Sequence, residues 1–168
     1  MKNKILPSIV LATICIVVAL LLAVVNMVTA PMIEAAKAEK VQKMLSSVMP
    51  EGKDFVEVSC EGCPEAVTAA YTEVGGGYVF QMEVKGFKKG LTIMCGIDSE
   101  GNITGADYVT SSETLSAEVG LGVKYVGQNK DTFTPEIISG ATKTTEGYAS
   151  AIKAALEAYE ILAVKEAE

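Results

Sequence analysis

The chain has 168 residues, of which 21 are acidic and 14 are basic, and its formal net charge is −7. It contains no histidine, which excludes histidine-ligated haem, zinc sites that depend on histidine, and nucleophilic catalysis by Ser/His/Asp or Cys/His groups. An acidic chain without a basic face is not expected to bind nucleic acid, and any redox centre must be cysteine-based or an organic cofactor.

An uncharged apolar segment runs from Ile5 to Ile33. About 20 such residues are enough to span a bilayer as a helix. The segment Val28–Ala30 imitates the cleavage site of a signal peptide, but Pro31 follows it directly and the apolar run is longer than a signal peptide requires. We therefore predict that residues 1–33 form an uncleaved anchor in membrane lipid.

The distribution of lysines predicts the orientation of this anchor. Lys2 and Lys4 precede the apolar segment, whereas the first basic residue after it is Lys37, with Glu34 nearby. Because basic residues favour the cytoplasmic side of a membrane, we expect a cytoplasmic N-terminus and an extracytoplasmic domain.

Residues 34–65 are predicted to form a juxtamembrane helix and an acidic loop. From Glu34 to Pro50, apolar residues recur at spacings of three and four, and the proline marks the end of the helix. We expect this helix to continue from the membrane span or to lie directly above it. The following stretch, residues 51–66, is rich in acidic and turn-forming residues and reads as a loop.

Cys60 and Cys63 form a CxxC pair within this loop. Such a pair is typical of a small disulfide, of a redox-active dithiol or of half a metal site. Zinc and iron–sulfur sites need about four ligands, and the chain has no second CxxC. The pattern favours a disulfide or unpaired thiols over the other two alternatives, which remain open. Cys15 and Cys95 lie in apolar segments and are expected to be structural.

Residues 66–168 are predicted to form an α+β domain, a mainly antiparallel sheet that is bracketed by the early helix and by a late one. Four segments have the composition of strands: 67–74, 78–84, 90–97 and 103–110. Gly120 and Gly122 indicate a loop or a bent element. The late helix is expected to begin near Thr145, with a buried stripe of Tyr148, Ala151, Ile152, Ala155, Leu156, Tyr159 and Leu162.

The stretch ISGATKTT, Ile138–Thr145, directly precedes this last helix and is expected to follow a short strand-like piece. A helix N-terminus is a natural phosphate site, glycine lets a ligand approach the backbone, and Lys143 and the threonine hydroxyls add charge and hydrogen-bond donors. Hydroxyl residues before a helix are also ordinary N-caps. Composition alone leaves both interpretations open.

The string Ser139-Gly140-Ala141-Thr142, followed by Lys143-Thr144-Thr145, resembles the flavinylation motif of the FMN-binding domain family. That domain occurs in the G subunit of Rnf-type electron-transport complexes and in the C subunit of sodium-translocating NADH:quinone reductases. The family motif begins with Asp, where this chain has Glu136. The resemblance implies that a flavin transferase attaches FMN covalently through a phosphoester to Thr142, and that Ser139, Gly140, Ala141, Lys143, Thr144 and Thr145 surround the attachment point.

A second stretch, residues 85–114, is similar to the strand–strand–turn–strand core of the same family. In the family this core ends in Glu-Thr-Pro-Gly-Leu-Gly, whereas here five residues, LSAEV, separate Glu113-Thr114 from Gly120-Leu121-Gly122. The resemblance implies that Glu113 and Thr114 contact the flavin, and it covers approximately residues 86–162.

The resemblance as a whole implies a membrane-anchored flavoprotein that works with other membrane subunits. It would relay electrons in an Rnf-type ferredoxin:NAD oxidoreductase complex that is coupled to ion translocation, with no catalytic side chain of its own. Two alternatives remain: a stand-alone extracytoplasmic flavin electron carrier, and a cofactor-free, membrane-tethered binding protein.

Overall fold

The computed structural model describes residues 2–114 and 116–166. The chain divides into two units, one that ends at Val41 and one that begins at Gln42. Two helices, five strands and a short 3₁₀ helix follow one another in the order α1 (Lys2–Val48), β1 (Val56–Val58), β2 (Val67–Thr72), β3 (Tyr78–Val84), β4 (Leu91–Ile97), β5 (Ile103–Thr110), the 3₁₀ helix (Leu121–Tyr125) and α2 (Thr142–Glu166).

Helix α1 is continuous through the residues that the sequence divides into an anchor and a juxtamembrane helix. The helix is long and apolar enough to cross a membrane by length and composition, with a mean hydropathy of 2.8 in its most apolar window. Leu11 and Leu22 are about two-thirds exposed, at 64% and 65%. A lipid environment would remove the cost of exposing such side chains to water.

The five strands form one antiparallel sheet in the order β1-β2-β3-β4-β5, so that every strand pairs with its neighbour in sequence. The Gly75–Gly77 turn joins β2 to β3, as predicted. Between β4 and β5, the Asp98 carboxylate accepts hydrogen bonds from the backbone N–H groups of Glu100 and Asn102, both at 2.9 Å. The four predicted strands and the α+β architecture are therefore confirmed.

Three predictions about local structure are wrong. Residues 51–66, predicted as a loop, contain the three-residue edge strand β1, which pairs Val56 with Thr72 and Val58 with Ala70. The piece before the ISGATKTT stretch is not a strand, because residues 133–137 have no regular secondary structure. The N–H of Ile138, which follows this piece, donates to the Thr145 hydroxyl at 3.3 Å. Helix α2 also begins at Thr142, three residues earlier than the expected Thr145.

Helix α2 packs on one face of the sheet and encloses the main core. The strands contribute alternate residues to this core, as the two-residue period of a strand requires. Full burial of each large apolar side chain contributes about 1.5–3 kcal/mol relative to exposure. The predicted α2 stripe is confirmed, with Tyr159 half-buried at its edge, against strand residues that include Tyr78, Phe80, Met82, Ile93, Cys95 and Ile97.

The last residues of α1 pack on the sheet at two glycines. Gly96 and Gly105 are register partners on β4 and β5. A Cβ at either position would lie 2.7 Å from the Val48 carbonyl oxygen. The Thr104 hydroxyl donates a 2.7 Å hydrogen bond to the same oxygen. The glycines thus allow the end of α1 to approach the strands, and the threonine satisfies a terminal carbonyl that has no partner within the helix.

The segment that contains Gly120 and Gly122, predicted as a loop or a bent element, forms the 3₁₀ helix, which packs on β5. A Cβ at Gly122 would lie only 1.7 Å from the Ala106 carbonyl oxygen, so this position admits no side chain. Tyr125 stacks on Phe133 and on Tyr148 of α2, with ring centroids 5.7 and 6.0 Å apart. The stack fixes the segment that leads towards α2.

Two side-chain polar atoms in the described part of the chain are buried without a hydrogen-bond partner, the Tyr148 hydroxyl and Glu118 Oε2. Burial raises the pKa of the Tyr148 hydroxyl well above its ordinary value, and nearby acidic groups raise it further. The hydroxyl therefore stays neutral, and its burial carries the cost of an unmade hydrogen bond.

Cys60 and Cys63 form a disulfide bond. This agrees with the alternative that the CxxC pattern favoured and that an extracytoplasmic location permits. Cys95 is a free, buried thiol, and burial raises its pKa to about 12. A thiol with so high a pKa forms little reactive thiolate, which supports the structural role expected from its apolar strand.

Candidate functional site

A cavity of about 440 Å³ opens at the N-terminal end of α2. Ligand sites in proteins usually have volumes of about 300–1,000 Å³. Three segments that are distant in sequence form its wall: the β3–β4 turn, the residues that follow β5, and the turn before α2 together with the start of that helix. Its lining residues are Phe87, Glu113, Thr114, Gly140, Ala141, Thr142, Lys143 and Thr144.

The structure brings together most of the residues that the sequence singled out. Seven of the eight lining residues, all except Phe87, were expected to surround a cofactor. Ser139 and Thr145 are not among the lining residues. Ser139 lies exposed in the turn before the helix, and Thr145 is fully buried.

The turn before α2 depends on Gly140, whose φ of 88° lies in the left-handed region. A residue with a side chain is strained in this conformation, whereas glycine is not. The Ala141 N–H closes the turn by donating to the Ile138 carbonyl at 3.0 Å. The chain can then enter the helix at Thr142, so that the side chain of this residue is exposed at the cavity.

Thr145 holds this turn together from the inside. Its hydroxyl accepts the N–H of Ile138 at 3.3 Å, and it lies 3.1 Å from the Thr142 carbonyl and 3.3 Å from the Ala141 carbonyl. One hydroxyl hydrogen can donate to either carbonyl. The Thr145 hydroxyl is therefore engaged by the protein itself and is not presented to the cavity.

Thr144, in contrast, connects the first turn of α2 to the segment after β5. Its hydroxyl donates to the Glu113 carboxylate at 2.5 Å. The same carboxylate accepts the backbone N–H of Phe87 at 3.1 Å and that of Lys88 at 3.0 Å. The Glu113 N–H in turn donates to the Ser111 hydroxyl at 3.1 Å. One carboxylate thus joins all three segments that line the cavity.

These hydrogen bonds govern the ionisation of Glu113. Partial burial alone would raise its pKa. The hydrogen bonds from Thr144, Lys88 and Phe87, together with the charge of Lys88, outweigh that effect and lower the pKa below its ordinary value. Glu113 is consequently a stable carboxylate at neutral pH, and it acts as an acceptor only.

Two glycines allow the segments to meet at this carboxylate. A Cβ at Gly86 would lie 2.6 Å from Glu113 Oε1, and a Cβ at Gly147 of α2 would lie 2.9 Å from the Lys85 carbonyl oxygen. Both separations are shorter than real Cβ contacts. The β3–β4 turn therefore lies directly against the second turn of α2.

The electrostatics of the cavity suit an anion at the start of α2. The first N–H groups of a helix lack intrahelical partners and carry the positive end of the helix dipole. Lys143 lines the cavity with an exposed side chain, and the lining carboxylate, Glu113, is already bound to three protein donors. A phosphate group beside Thr142 would meet both favourable features.

Phe87 is the lining residue that the sequence did not reveal as a site residue. Its side chain is 60% exposed, and it contributes an aromatic ring to the cavity wall. A signal was present: Phe87 is a single aromatic residue in a turn that is flanked by Gly86 and Gly90. An aromatic side chain in a short β-hairpin turn cannot reach the protein core, so its ring remains available to contact a ligand.

Glu136, which occupies the position of the family's aspartate, lies outside the cavity wall. Its carboxylate forms an ion pair with Lys124 of the 3₁₀ helix, and its N–H donates to the Tyr125 hydroxyl at 3.1 Å. The acidic residue thus attaches the segment before the turn to the 3₁₀ helix.

Comparisons with known proteins agree with this geometry. Residues 86–157 match the FMN-binding domain family, and residues 1–48 match the family described as the RnfG N-terminal region. The first match contains every residue of the cavity wall. The second match ends at Val48, the last residue of α1.

One relative is similar over most of the chain. It is the G subunit of the Na⁺-translocating ferredoxin:NAD⁺ oxidoreductase complex of Acetobacterium woodii, which is 28% identical over an aligned length of 159 residues; the alignment covers 81% of this chain and 75% of the relative. The similarity therefore extends beyond the domain that contains the cavity.

Proposed function

We propose that the chain is a flavoprotein subunit of an Rnf-type complex, because it carries an FMN-binding domain and resembles the G subunit of such a complex. In this role it holds FMN and relays electrons within a ferredoxin:NAD oxidoreductase that is coupled to ion translocation. The proposal depends chiefly on one observation: Thr142 is the first residue of α2, and it presents an exposed side chain to a cavity of ligand size.

Thr142 is the proposed attachment residue. Its hydroxyl oxygen attacks the FMN phosphorus of FAD, a phosphoester bond forms, AMP leaves, and the hydroxyl proton is released. A separate flavin transferase, with Mg²⁺, carries out this reaction during maturation. The product is the chain plus one FMN minus one water.

The neighbouring residues have separate tasks in holding the phosphate end of the cofactor. Gly140 and Ala141 bring the turn close to it without a large side chain. The start of α2 and Lys143 supply positive charge. Thr144 and Thr145 fix the first turn of the helix, the former through Glu113 and the latter through the Thr142 and Ala141 carbonyls.

FMN supplies the redox chemistry when it is bound, because its ring accepts electrons singly or in pairs. The protein's contribution is to retain, orient and tune the cofactor. Thr114 completes the cavity wall beside Glu113. No acid or base from the chain is required for electron transfer, so this subunit needs no catalytic side chain.

The proposed location is the outer side of a membrane. Helix α1 is apolar enough to anchor the chain, and Lys2 and Lys4 favour a cytoplasmic N-terminus. The FMN-binding domain then lies outside the cytoplasm, beside the other membrane subunits of the complex. The Cys60–Cys63 disulfide is chemically compatible with that compartment.

Mass spectrometry of the chain co-expressed with a flavin transferase tests the attachment. The wild-type chain is expected to gain one FMN minus water, and Thr142→Ala is expected to lose this gain. Thr110→Ala is the matched control, because it removes an exposed threonine hydroxyl that lies outside the cavity wall and should keep the gain. Retention of the FMN mass in Thr142→Ala would disprove Thr142 as the acceptor.

Purification from native membranes distinguishes the proposed complex from the two alternatives. Co-purification with multi-span membrane subunits supports the complex. A flavin-carrying chain that purifies alone supports a stand-alone electron carrier, and a colourless chain without flavin fluorescence supports a cofactor-free binding protein.

A further inference from the structure

We propose that Phe87 is the aromatic wall on which the planar ring of the cofactor rests, and that Glu113 is the positioning residue that holds Phe87 in place. This inference rests on the proposed function, since it identifies which groups of the same cavity act on the ring. It gives the Glu113 carboxylate an indirect role through the backbone of the β3–β4 turn.

Both carboxylate oxygens of Glu113 already accept hydrogen bonds from the protein. Oε1 accepts the N–H of Lys88, and Oε2 accepts the N–H of Phe87 and the Thr144 hydroxyl. A carboxylate cannot donate a hydrogen bond, and its negative charge repels a phosphate group. The contacts that it makes are therefore better suited to fixing the protein than to binding an anionic cofactor directly.

The segments that meet at Glu113 are closely packed. The absence of a side chain at Gly86 leaves space for the carboxylate, and its absence at Gly147 leaves space for the turn against α2. The consecutive N–H groups of Phe87 and Lys88 point to one carboxylate, which fixes the backbone at the point from which the Phe87 side chain projects. The position of the aromatic ring therefore depends on Glu113.

The side chain of Phe87 is largely exposed. Its neighbours in the turn are Gly86, Lys88 and Lys89, so no apolar cluster in the turn covers the ring. The ring is 60% exposed and lines the same cavity as Thr142. Aromatic side chains bind planar aromatic ligands by offset or edge-to-face stacking. An isoalloxazine ring is such a ligand, and the proposed attachment at Thr142 would bring it to this cavity.

The experiment uses the full-length, flavinylated chain and four variants: Phe87→Leu, Glu113→Gln, the double variant, and Glu100→Gln as a control. Glu100 is an exposed glutamate in the β4–β5 turn, so its substitution changes the same charge away from the cavity. The FMN content of each protein is first measured by mass. Flavin fluorescence per FMN then reports contact with the ring, and hydrogen exchange of the peptide that contains residues 85–90 reports the position of the turn.

The expected results follow from the proposed relay. Phe87→Leu raises flavin fluorescence because it removes a stacked aromatic group, and it leaves hydrogen exchange of the turn unchanged. Glu113→Gln raises both signals, with exchange increasing about 10-fold, as expected for the loss of a hydrogen bond to a charged group. The double variant shows no more fluorescence than Phe87→Leu alone, because both changes act on one contact. Glu100→Gln matches the wild type.

Several results would overturn the inference. If Phe87→Leu has the flavin fluorescence of the wild type, Phe87 does not contact the flavin ring. If Glu113→Gln has the hydrogen exchange of the wild type, Glu113 does not position the turn. Additive fluorescence changes in the double variant would show that Glu113 acts on the ring by another route. If Glu113→Gln fails to fold, Thr144→Val replaces it, because that change removes one donor to Glu113 and is expected to raise exchange and fluorescence in the same direction.

The outcome is separable from that of the proposed function. A wild-type chain without FMN mass would disprove both flavin attachment and the ring contact, whereas the exchange measurement would still test the effect of Glu113 on the turn. A wild-type chain with FMN but with fluorescence insensitive to Phe87 would leave the proposed function intact and refute only the inference.

Discussion

Thr144 and Glu113 are 31 residues apart in sequence, and the threonine hydroxyl donates a 2.5 Å hydrogen bond to the glutamate carboxylate. This bond connects the first turn of α2 to the segment that follows β5. Because the same carboxylate accepts two N–H groups of the β3–β4 turn, the integrity of the cavity wall depends on the ionisation of one side chain.

The stability that Glu113 provides is expected to depend on pH. Its pKa is lower in the folded chain than in the unfolded chain, so the unfolded state binds more protons as the pH falls. The contribution is fully present above the ordinary carboxyl pKa of about 4.3, and it is lost as the pH falls through the lowered value. Thermal unfolding of the wild type and of Glu113→Gln between neutral and acidic pH measures this difference.

The two melting curves should separate at neutral pH and converge in acid. Other carboxylates titrate in the same range, so only the difference between the two proteins is informative. Glu100→Gln provides the matched comparison and should follow the wild type throughout. A constant separation between the wild type and Glu113→Gln at every pH would contradict the assignment.

Gly140→Ala is expected to destabilise the domain by about 1–2 kcal/mol, the cost of placing an alanine in the left-handed conformation. The substitution should also reduce the yield of flavinylated protein, because it distorts the turn that positions Thr142. Gly140→Asn is the control, since asparagine tolerates this conformation better. Urea unfolding and FMN mass give the two readouts, and equal stability of the two variants would refute the backbone explanation.

Gly105→Ala is expected to cost about 1–3 kcal/mol, which is typical of overpacking. The added methyl group would lie 2.7 Å from the Val48 carbonyl, a backbone atom that cannot move aside alone. Thr104→Val tests the neighbouring hydrogen bond separately and should cost about 1 kcal/mol. Denaturant unfolding of the full chain in detergent measures both, and an unchanged midpoint for Gly105→Ala would contradict the close approach of α1.

Tyr148→Phe is expected to preserve or raise stability. The hydroxyl is buried without a hydrogen-bond partner, so its removal relieves a desolvation cost of about 1–3 kcal/mol while the ring still stacks on Tyr125. Thermal unfolding provides the measurement, with Tyr125→Phe as a comparison, because that hydroxyl accepts the Glu136 N–H. Clear destabilisation by Tyr148→Phe would show that its hydroxyl forms a stabilising interaction.

Replacement of both Cys60 and Cys63 by serine is expected to cost about 2 kcal/mol, as the loop-entropy relation gives for so short a loop. Flavin attachment should be unaffected, because neither residue lines the cavity. Unfolding under non-reducing conditions measures the first effect, and FMN mass measures the second. Loss of FMN from a folded double variant would assign the disulfide a role in the site.

Much of the architecture could be predicted because it follows from local patterns. Along β3, apolar residues alternate with others because one face of the strand is buried. On α2, apolar residues recur at helical spacing because one side of the helix is buried. Strand β1 escaped prediction because three residues carry too little periodicity, and its pairing with β2 depends on a neighbour rather than on its own composition. The start of α2 was predicted too late because Thr142 and Thr144 are weak helix formers that the turn at Gly140 brings into the helix.

The site residues that are contiguous in sequence could be predicted, whereas contacts between residues distant in sequence could not. The residues around Thr142 form one motif, and the sequence identified them together. Thr144 and Thr145 looked equivalent in that motif, yet one reaches Glu113 and the other bonds back to its own turn, a difference that depends on which side of the helix each occupies. Phe87 was missed because it lies far from that motif in sequence, and its turn is joined to the site by Glu113, 26 residues away.

The exposed position of Thr142 has a consequence for how strongly the cavity must bind. A phosphoester at this residue would turn docking of the ring into an intramolecular step, with a local concentration in the millimolar range that short flexible tethers provide. A cavity whose affinity for free FMN is only millimolar would then be about half filled at any dilution of the protein. The covalent bond alone would retain the FMN, and the cavity wall would need only to determine the orientation of its ring.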